Sequence, residues 1–311
     1  MSGAIVVGID GADRAWTALA WAADDAARRG RPLRIVHVRE PWQPERPLAG
    51  TRLTLSERNE ALLSDAVERV RTVAPEVETT AVLVTGAVVE RLRTEGADAD
   101  SLVLGSRGRS AVAGLMLGST GFALAGHVRC PVVIVHEPPG PARGEIVVGY
   151  DGSADAEAAL AYGLEQADAR GARVRVVYGR QVPVLSPHPV GYGPLPGANF
   201  GRQLEAAMAP WREMYPDVPI EDSFVDRHPV TALVRASSGA DLAVVGSRGL
   251  SRLTATVLGT VSHGVLQRAH CPVAVVRAPW RPSSQPPDRQ GGRARVMPRF
   301  TRSTRRGCGG P

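Results

Sequence analysis

Two acidic residues and two sets of spaced glycines are the parts of this chain that could do chemistry. Asp10 and Asp151 each end an apolar run, and each is followed by a glycine, Gly11 and Gly152. In doubly wound nucleotide folds a carboxylate at that place accepts hydrogen bonds from a ribose hydroxyl or an adenine amino group. An aspartate there is equally suited to cap the helix that follows. Further along come Gly105, Gly108, Gly118, Ser119 and Thr120, and later Gly246, Gly249, Gly259, Thr260, Val261 and Ser262. Glycines let backbone amides approach an anion. The hydroxyl-bearing residue opens a helix whose first N–H groups and dipole favour negative charge. These glycines could instead merely make turns; the recurrence of the three glycines and the hydroxyl residue in both sets favours a phosphate cradle.

That recurrence runs through most of the chain. Adding 141 to a residue number carries IVVGIDG at Ile5–Gly11 onto IVVGYDG at Ile146–Gly152, Gly105 onto Gly246, Gly118 onto Gly259, and Cys130 onto Cys271. A self-similarity of roughly 135 residues has the size of a domain, far beyond a solenoid period. The chain therefore divides into a first copy at 1–138, a second at 144–279, and a basic tail at 280–311. The tail, rich in Arg, Gly, Pro and Ser without apolar periodicity, is expected to be disordered.

Each copy must position its motifs with alternating strands and helices. In the first, Ala4–Ile9 is a continuous apolar run, as in a parallel strand covered on both faces. Ala15, Ala18, Leu19, Ala22 and Ala26 have helical spacing, with Gly30 as a C-cap. Strands are expected at Leu33–Val38, Glu78–Val84, Ser101–Leu104 and Val132–Val135, and helices at Leu53–Val73, Val88–Gly96 and Ser119–His127. In the second copy the last strands and helices fall at Ser223–Val225, Leu242–Val245, Ser262–Arg268 and Val273–Val276. Five strands alternating with helices imply an α/β architecture: two tandem copies of a doubly wound, five-stranded parallel sheet of Rossmann-like or flavodoxin-like type. Ligands bind such sheets beyond the carboxyl ends of the strands. The stiff linker, Glu137–Gly144, favours side-by-side packing of the copies through their last strands. The irregular stretches Arg39–Thr51 and Gln181–Ala198 follow the second strand of each copy and by position cover the ligand end.

Composition narrows the function. The formal charge of +6 misleads, because eight of the 37 basic residues and only Asp288 among the 31 acidic ones lie from Arg281 onward. The remainder, 29 basic against 30 acidic residues, is nearly neutral. Contact of the arginine-rich tail with nucleic acid is the less favoured reading. All basic side chains other than histidine are arginines, so a P-loop lysine and Schiff-base chemistry are excluded. No apolar run is long enough to span a membrane and no secretory signal is visible, so a cytoplasmic protein is expected. Cys130 and Cys271 read as small core residues, and no metal-ligand spacing appears. The histidines form no repeated acid or base beside a nucleophile, so binding is favoured over turnover and no catalytic residue is assigned.

At this point the pattern resembles the universal stress protein family in its tandem form. The residues that carry the resemblance are VGIDG and VGYDGS, VHV at Val36–Val38, GSRG in both copies, LGST and LGTVS, and CPVVIV and CPVAVV. The resemblance implies ATP at each copy, with Mg possible beside the phosphates. Asp10 would meet the adenosine, the backbone near Val38 the base, and Gly105, Gly108, Gly118 and Ser119 the ribose and phosphates. The second copy carries these roles to Asp151, Gly179, Gly246, Gly249, Gly259, Thr260 and Ser262. It further implies a cytosolic stress-response regulator acting through nucleotide occupancy, with a regulatory protein partner, a possible homo-oligomer and no membrane. A slow ATPase, or an interaction protein with little nucleotide affinity, are the competing readings. Because Ser262 offers a hydroxyl where the first copy has Gly121, the second copy is expected to bind ATP more tightly.

Overall fold

Apolar strands with no polar alternation must be covered on both faces, and the chain supplies a helix layer for each. A computed structural model of the protein describes residues 3–41, 54–106, 118–136, 141–179, 200–249 and 258–280. The first copy runs β1 (Ile5–Ile9), α1 (Asp13–Arg29), β2 (Leu33–Arg39), α2 (Leu55–Val73), β3 (Thr79–Thr85), α3 (Val88–Glu95), β4 (Ser101–Gly105), α4 (Ser119–Leu124) and β5 (Val132–Val135). The second repeats it as β6 (Glu145–Gly149), α5 (Ala154–Arg170), β7 (Arg173–Gly179), α6 (Phe200–Met214), β8 (Ile220–Val225), α7 (Pro229–Ser237), β9 (Leu242–Gly246), α8 (Thr260–Arg268) and β10 (Val273–Val276). The α1 face read from the sequence is buried, and the helix ends at Gly30 with φ 57°, a left-handed cap suited to glycine.

The described strands form one sheet in the order β3-β2-β1-β4-β5-β10-β9-β6-β7-β8. Within each copy neighbours are parallel, and the sheet reverses between its first and fourth strands, which leaves a crevice beyond their carboxyl ends. Residues from α1, α2, α5 and α6 form one core layer against the sheet, and residues from α3, α4, α7 and α8 the other. Both layers run through the two copies without a break. Cys130 and Cys271 lie in the second layer, where burial pushes both thiols up to about 12.

Some boundaries shift for local reasons. The edge strand β8 begins at Ile220 rather than Ser223, because Ile220, Glu221 and Asp222 pair with β7 through their backbones although Glu221 and Asp222 are exposed. The last helix of the first copy stops at Leu124, three residues before the expected His127, and the following Gly126 turns the chain at φ 78°. Trp280, assigned to the tail from sequence, meets Tyr162 edge-on with ring centroids 5.2 Å apart, so the folded body extends through it. The expected disorder of the remaining tail and the cover by Arg39–Thr51 and Gln181–Ala198 concern segments almost wholly outside the described residues, which in these stretches include only 39–41.

The copies join through their last strands. β5 and β10 pair antiparallel, with Val133 opposite Ala274, its own repeat equivalent. Beside this seam lies a buried ionic cluster. Arg29 reaches Asp25 at 3.3 Å, Asp100 at 2.6 and 2.9 Å, and Glu165 of the second copy at 3.1 Å. Arg170 binds the same Asp25 at 2.8 Å, and Gln166 donates to Asp25 at 3.4 Å and to the Tyr162 hydroxyl at 3.0 Å. Burial raises the Glu165 carboxyl, and Arg29 opposes that rise.

Removing one partner from such a cluster strands the others without compensation, at a typical cost of ~3–5 kcal/mol. Arg29→Ala should therefore lower stability by about that amount in urea unfolding, and a loss under ~1 kcal/mol would show the cluster to be expendable. Truncation after Trp280 should leave Tm within about 1 °C. Truncation after Ala278 should lower it by about 2 °C or more, because an edge-on aromatic pair contributes ~0.5–1.5 kcal/mol beyond its buried area. Equal melting of the two truncations would place Trp280 outside the fold.

Candidate functional site

The second copy presents a cavity of about 260 Å³ at the carboxyl ends of β6, β7 and β9. Its wall includes Tyr150, Asp151, Gly179, Gly246, Arg248, Gly249, Gly259, Thr260, Val261 and Ser262. Of the residues singled out from sequence in this copy, only Gly152 is absent from that wall. Gly152 makes the turn beneath Asp151, with φ 79°, as Gly11 does in the first copy with φ 80°.

Neither aspartate caps its helix. The N-caps are Ala12 and Ser153, and Asp10 and Asp151 instead each accept the backbone N–H two residues on, at 3.0 Å. The other oxygen of Asp151 faces the loop after β9: a Cβ built on Gly249 would fall 2.5 Å from Oδ2. The carboxylate and the glycine loop therefore lie against each other, and glycine is what admits the contact.

The glycines of the motif do different work. A Cβ on Gly246 would lie 2.8 Å from the Asp155 carbonyl carbon, and one on Gly105 would lie 2.6 Å from Arg14 O. These two let the first turn of α5 and of α1 close onto the sheet. Gly259 and Gly118 are N-caps whose own amides donate to Ser247 O at 2.8 Å and Ser106 O at 2.6 Å. The donors left at this helix end in the second copy are the first-turn amides of Thr260, Val261 and Ser262. Ser262 Oγ donates to Gly246 O at 2.6 Å, so its proton is committed to the backbone, and the expected advantage of that hydroxyl loses its stated basis.

In the first copy Gly118, Ser119 and Thr120 open α4, and Gly121 is buried where Ser262 stands in the second. Val38 ends the apolar part of β2, with its side chain against the α3 layer. Gly108 lies outside the described residues, as does Arg107; Arg248, its equivalent, lines the cavity.

Three features of the site went unread in the sequence. Asp155 accepts from Ser247 Oγ at 2.6 Å and from Arg248 N at 3.1 Å with one oxygen, and from Ala278 N at 3.1 Å with the other. It thereby fixes the loop after β9 to the start of α5 and to the end of the folded chain. Glu157 accepts from the Tyr150 hydroxyl and, at 3.3 Å, from Trp211 Nε1. Burial raises the Tyr150 hydroxyl, and the bond to Glu157 raises it further. In the first copy the corresponding positions are Ile9, Trp16 and Val70. The buried His37 has Nδ1 2.8 Å from Ile9 O and Nε2 3.2 Å from Asn59 Oδ1. Comparing the two copies at the fixed offset would have pointed to the first two, since Arg14 stands at Asp155 and Trp16 at Glu157, whereas the alignment of His37 with Tyr178 does not by itself reveal the contacts of His37. Among the described residues no group of three or more His, Cys, Asp or Glu is placed to hold a metal ion, and no helix is long and apolar enough to cross a membrane.

Comparison with known proteins agrees with the tandem reading. The model of the universal stress protein family matches residues 1–136 and 143–277. One universal stress protein of Mycobacterium tuberculosis strain H37Rv is 32% identical over 292 residues, covering 88% of this chain and 96% of its own. Another from the same strain is 33% identical over 287 residues, with the same coverage. The crystal structure of a universal stress protein from Archaeoglobus fulgidus DSM 4304 superposes with a TM-score of 0.64 over 89% of this chain and 99% of that one. At 18% identity that likeness concerns the fold alone.

The Glu157 network gives the site a pH signature. Burial raises the Glu157 carboxyl above its ordinary 4.5, and the hydrogen bonds from Tyr150 and Trp211 offset part of that. The folded chain thus holds this proton to higher pH than the unfolded chain. The contribution to stability is complete below 4.5 and is lost as pH rises through the folded value. Glu157→Gln should flatten that part of the profile, seen as a smaller fall in Tm between about pH 4 and pH 7. An unchanged slope would show that Glu157 titrates as an ordinary carboxyl.

Proposed function

The chain belongs to the universal stress protein family, and on that premise we propose that it binds ATP in the crevice of each copy and acts in the cytoplasm as a stress-response regulator. Its nucleotide occupancy would be read by a protein partner. The observation that carries this reading is the cavity of the second copy. There a carboxylate, Asp151, stands on one side, and the first-turn amides of α8 stand on the other, joined by the backbone of Gly246–Gly249. An acceptor for adenosine hydroxyl or amino groups and a cluster of donors for phosphate are the two functions a nucleotide site requires. The donors are backbone amides, which suits a chain that has no lysine to offer. Mg would enter with the phosphates. Binding is favoured over turnover, because the histidines of the sequence form no repeated acid or base beside a nucleophile.

Acid extraction of the purified protein should release an adenine nucleotide. Titration calorimetry with ATP should show that Gly259→Arg abolishes one binding phase and Gly118→Arg the other, each by filling a helix N-terminus. A protein that yields no nucleotide and takes up none would leave the fold without this function. Phosphate release in proportion to protein and lost in Asp151→Asn would make it an ATPase instead.

A further inference from the structure

We infer that Asp155 sets the phosphate-count preference of the second crevice, so that this site favours nucleotides carrying one phosphate over ATP. The inference rests on the nucleotide reading of the crevice and concerns which nucleotide it selects. Asp155 lies immediately behind the loop that faces the α8 amides. Its Oδ2 accepts Ser247 Oγ and Arg248 N–H, and its Oδ1 accepts Ala278 N–H. Two consequences follow. The Arg248 amide, one of the donors a phosphate cradle would draw on, points at the carboxylate. The acidic side chain also stands behind that loop, in the first turn of α5, so a longer phosphate chain held against the loop brings more charge towards it.

The first copy has Arg14 at this position, and its guanidinium donates to His136 O. The substitution is thus a reversal of charge between repeat-equivalent positions. Other charges nearby do not cancel it. Arg248 lines the second crevice, but Arg107 occupies the same place in the first sequence. Arg227, which replaces Gly86, is exposed and is not part of the cavity wall. Glu157, which replaces Trp16, adds a second acidic group beneath Tyr150. From AMP to ATP the ligand gains about two negative charges, and each is repelled by Asp155 across a partly buried site, where screening is weaker than in water.

The test uses the full chain carrying Gly118→Arg, so that only the second crevice binds, titrated with AMP and ATP in EDTA. AMP should bind at least as tightly as ATP. Adding Asp155→Asn, which removes the charge and keeps one oxygen to accept while giving up one of the two backbone N–H bonds, should raise ATP affinity about tenfold and change AMP affinity less than about threefold. In the complementary chain, with Gly259→Arg, the first crevice should prefer ATP, and Arg14→Gln should reduce that preference. If Asp155→Asn leaves the ATP-to-AMP ratio unchanged, or weakens both nucleotides together, Asp155 only holds the loop and the inference falls while nucleotide binding stands. If neither nucleotide binds either chain, the function proposed above falls as well.

Discussion

The antiparallel pairing of β5 with β10 is the constraint on which the rest of the molecule depends. Two five-stranded sheets each have an apolar last strand whose unpaired edge would otherwise recruit another chain. By pairing these edges the protein makes one sheet with both faces covered, and the two core layers become continuous across the repeat. The helices nearest the seam, α1 and α5, are then forced together. Their buried faces carry the ionic cluster, because Arg29 and Arg170 sit one turn beyond the apolar stripe that each helix presents to the sheet.

Joining the copies in this way also places the sites. Each crevice opens beyond the carboxyl ends of its own first and fourth strands, and both are braced by the same helices that form the seam. In the second copy the brace is explicit. Asp155 holds the loop after β9 with one oxygen and Ala278 with the other, two residues before Trp280 reaches Tyr162 in the cluster. The Ser247–Arg248 loop at the crevice is thereby tied through one side chain to the exit of the folded chain.

The sequence carried the fold openly, because it was written twice. Strand runs such as IVVGI and VAVV lack polar alternation, and both prove buried on both faces. What it concealed were contacts made by residues of ordinary type. Gly105 and Gly246 read as ligand glycines, yet their nearest obstacle is the backbone of a helix, a distance that no spacing rule reveals. Trp280 looked like the start of a tail because its neighbours are Arg and Pro, while its partner Tyr162 lies more than a hundred residues earlier. Asp155 and Glu157 lie in a helix first turn and drew no reading from the sequence, and the fold brings Ser247, Tyr150 and Trp211 to them.

The pseudo-twofold axis explains why the copies diverge where they do. On such an axis a residue faces its own equivalent, so two identical copies would oppose like with like. Asp25 and Gln166 are equivalents and meet at 3.4 Å. Were both aspartates, two buried carboxylates would share one place and one would have to be protonated. With Gln166 as donor, Asp25 gathers both Arg29 and Arg170. Phe122 meets its equivalent His263 edge-on at 5.0 Å, and Val133 lies opposite Ala274, so the axis is asymmetric in charge, ring type and volume at successive levels. A homodimer of single copies cannot make these choices, because every substitution appears on both sides. Fusion into one chain removes that restriction. It also frees the two crevices to differ, which is the condition under which Arg14 and Asp155 can hold opposite charges at the same point of the same fold.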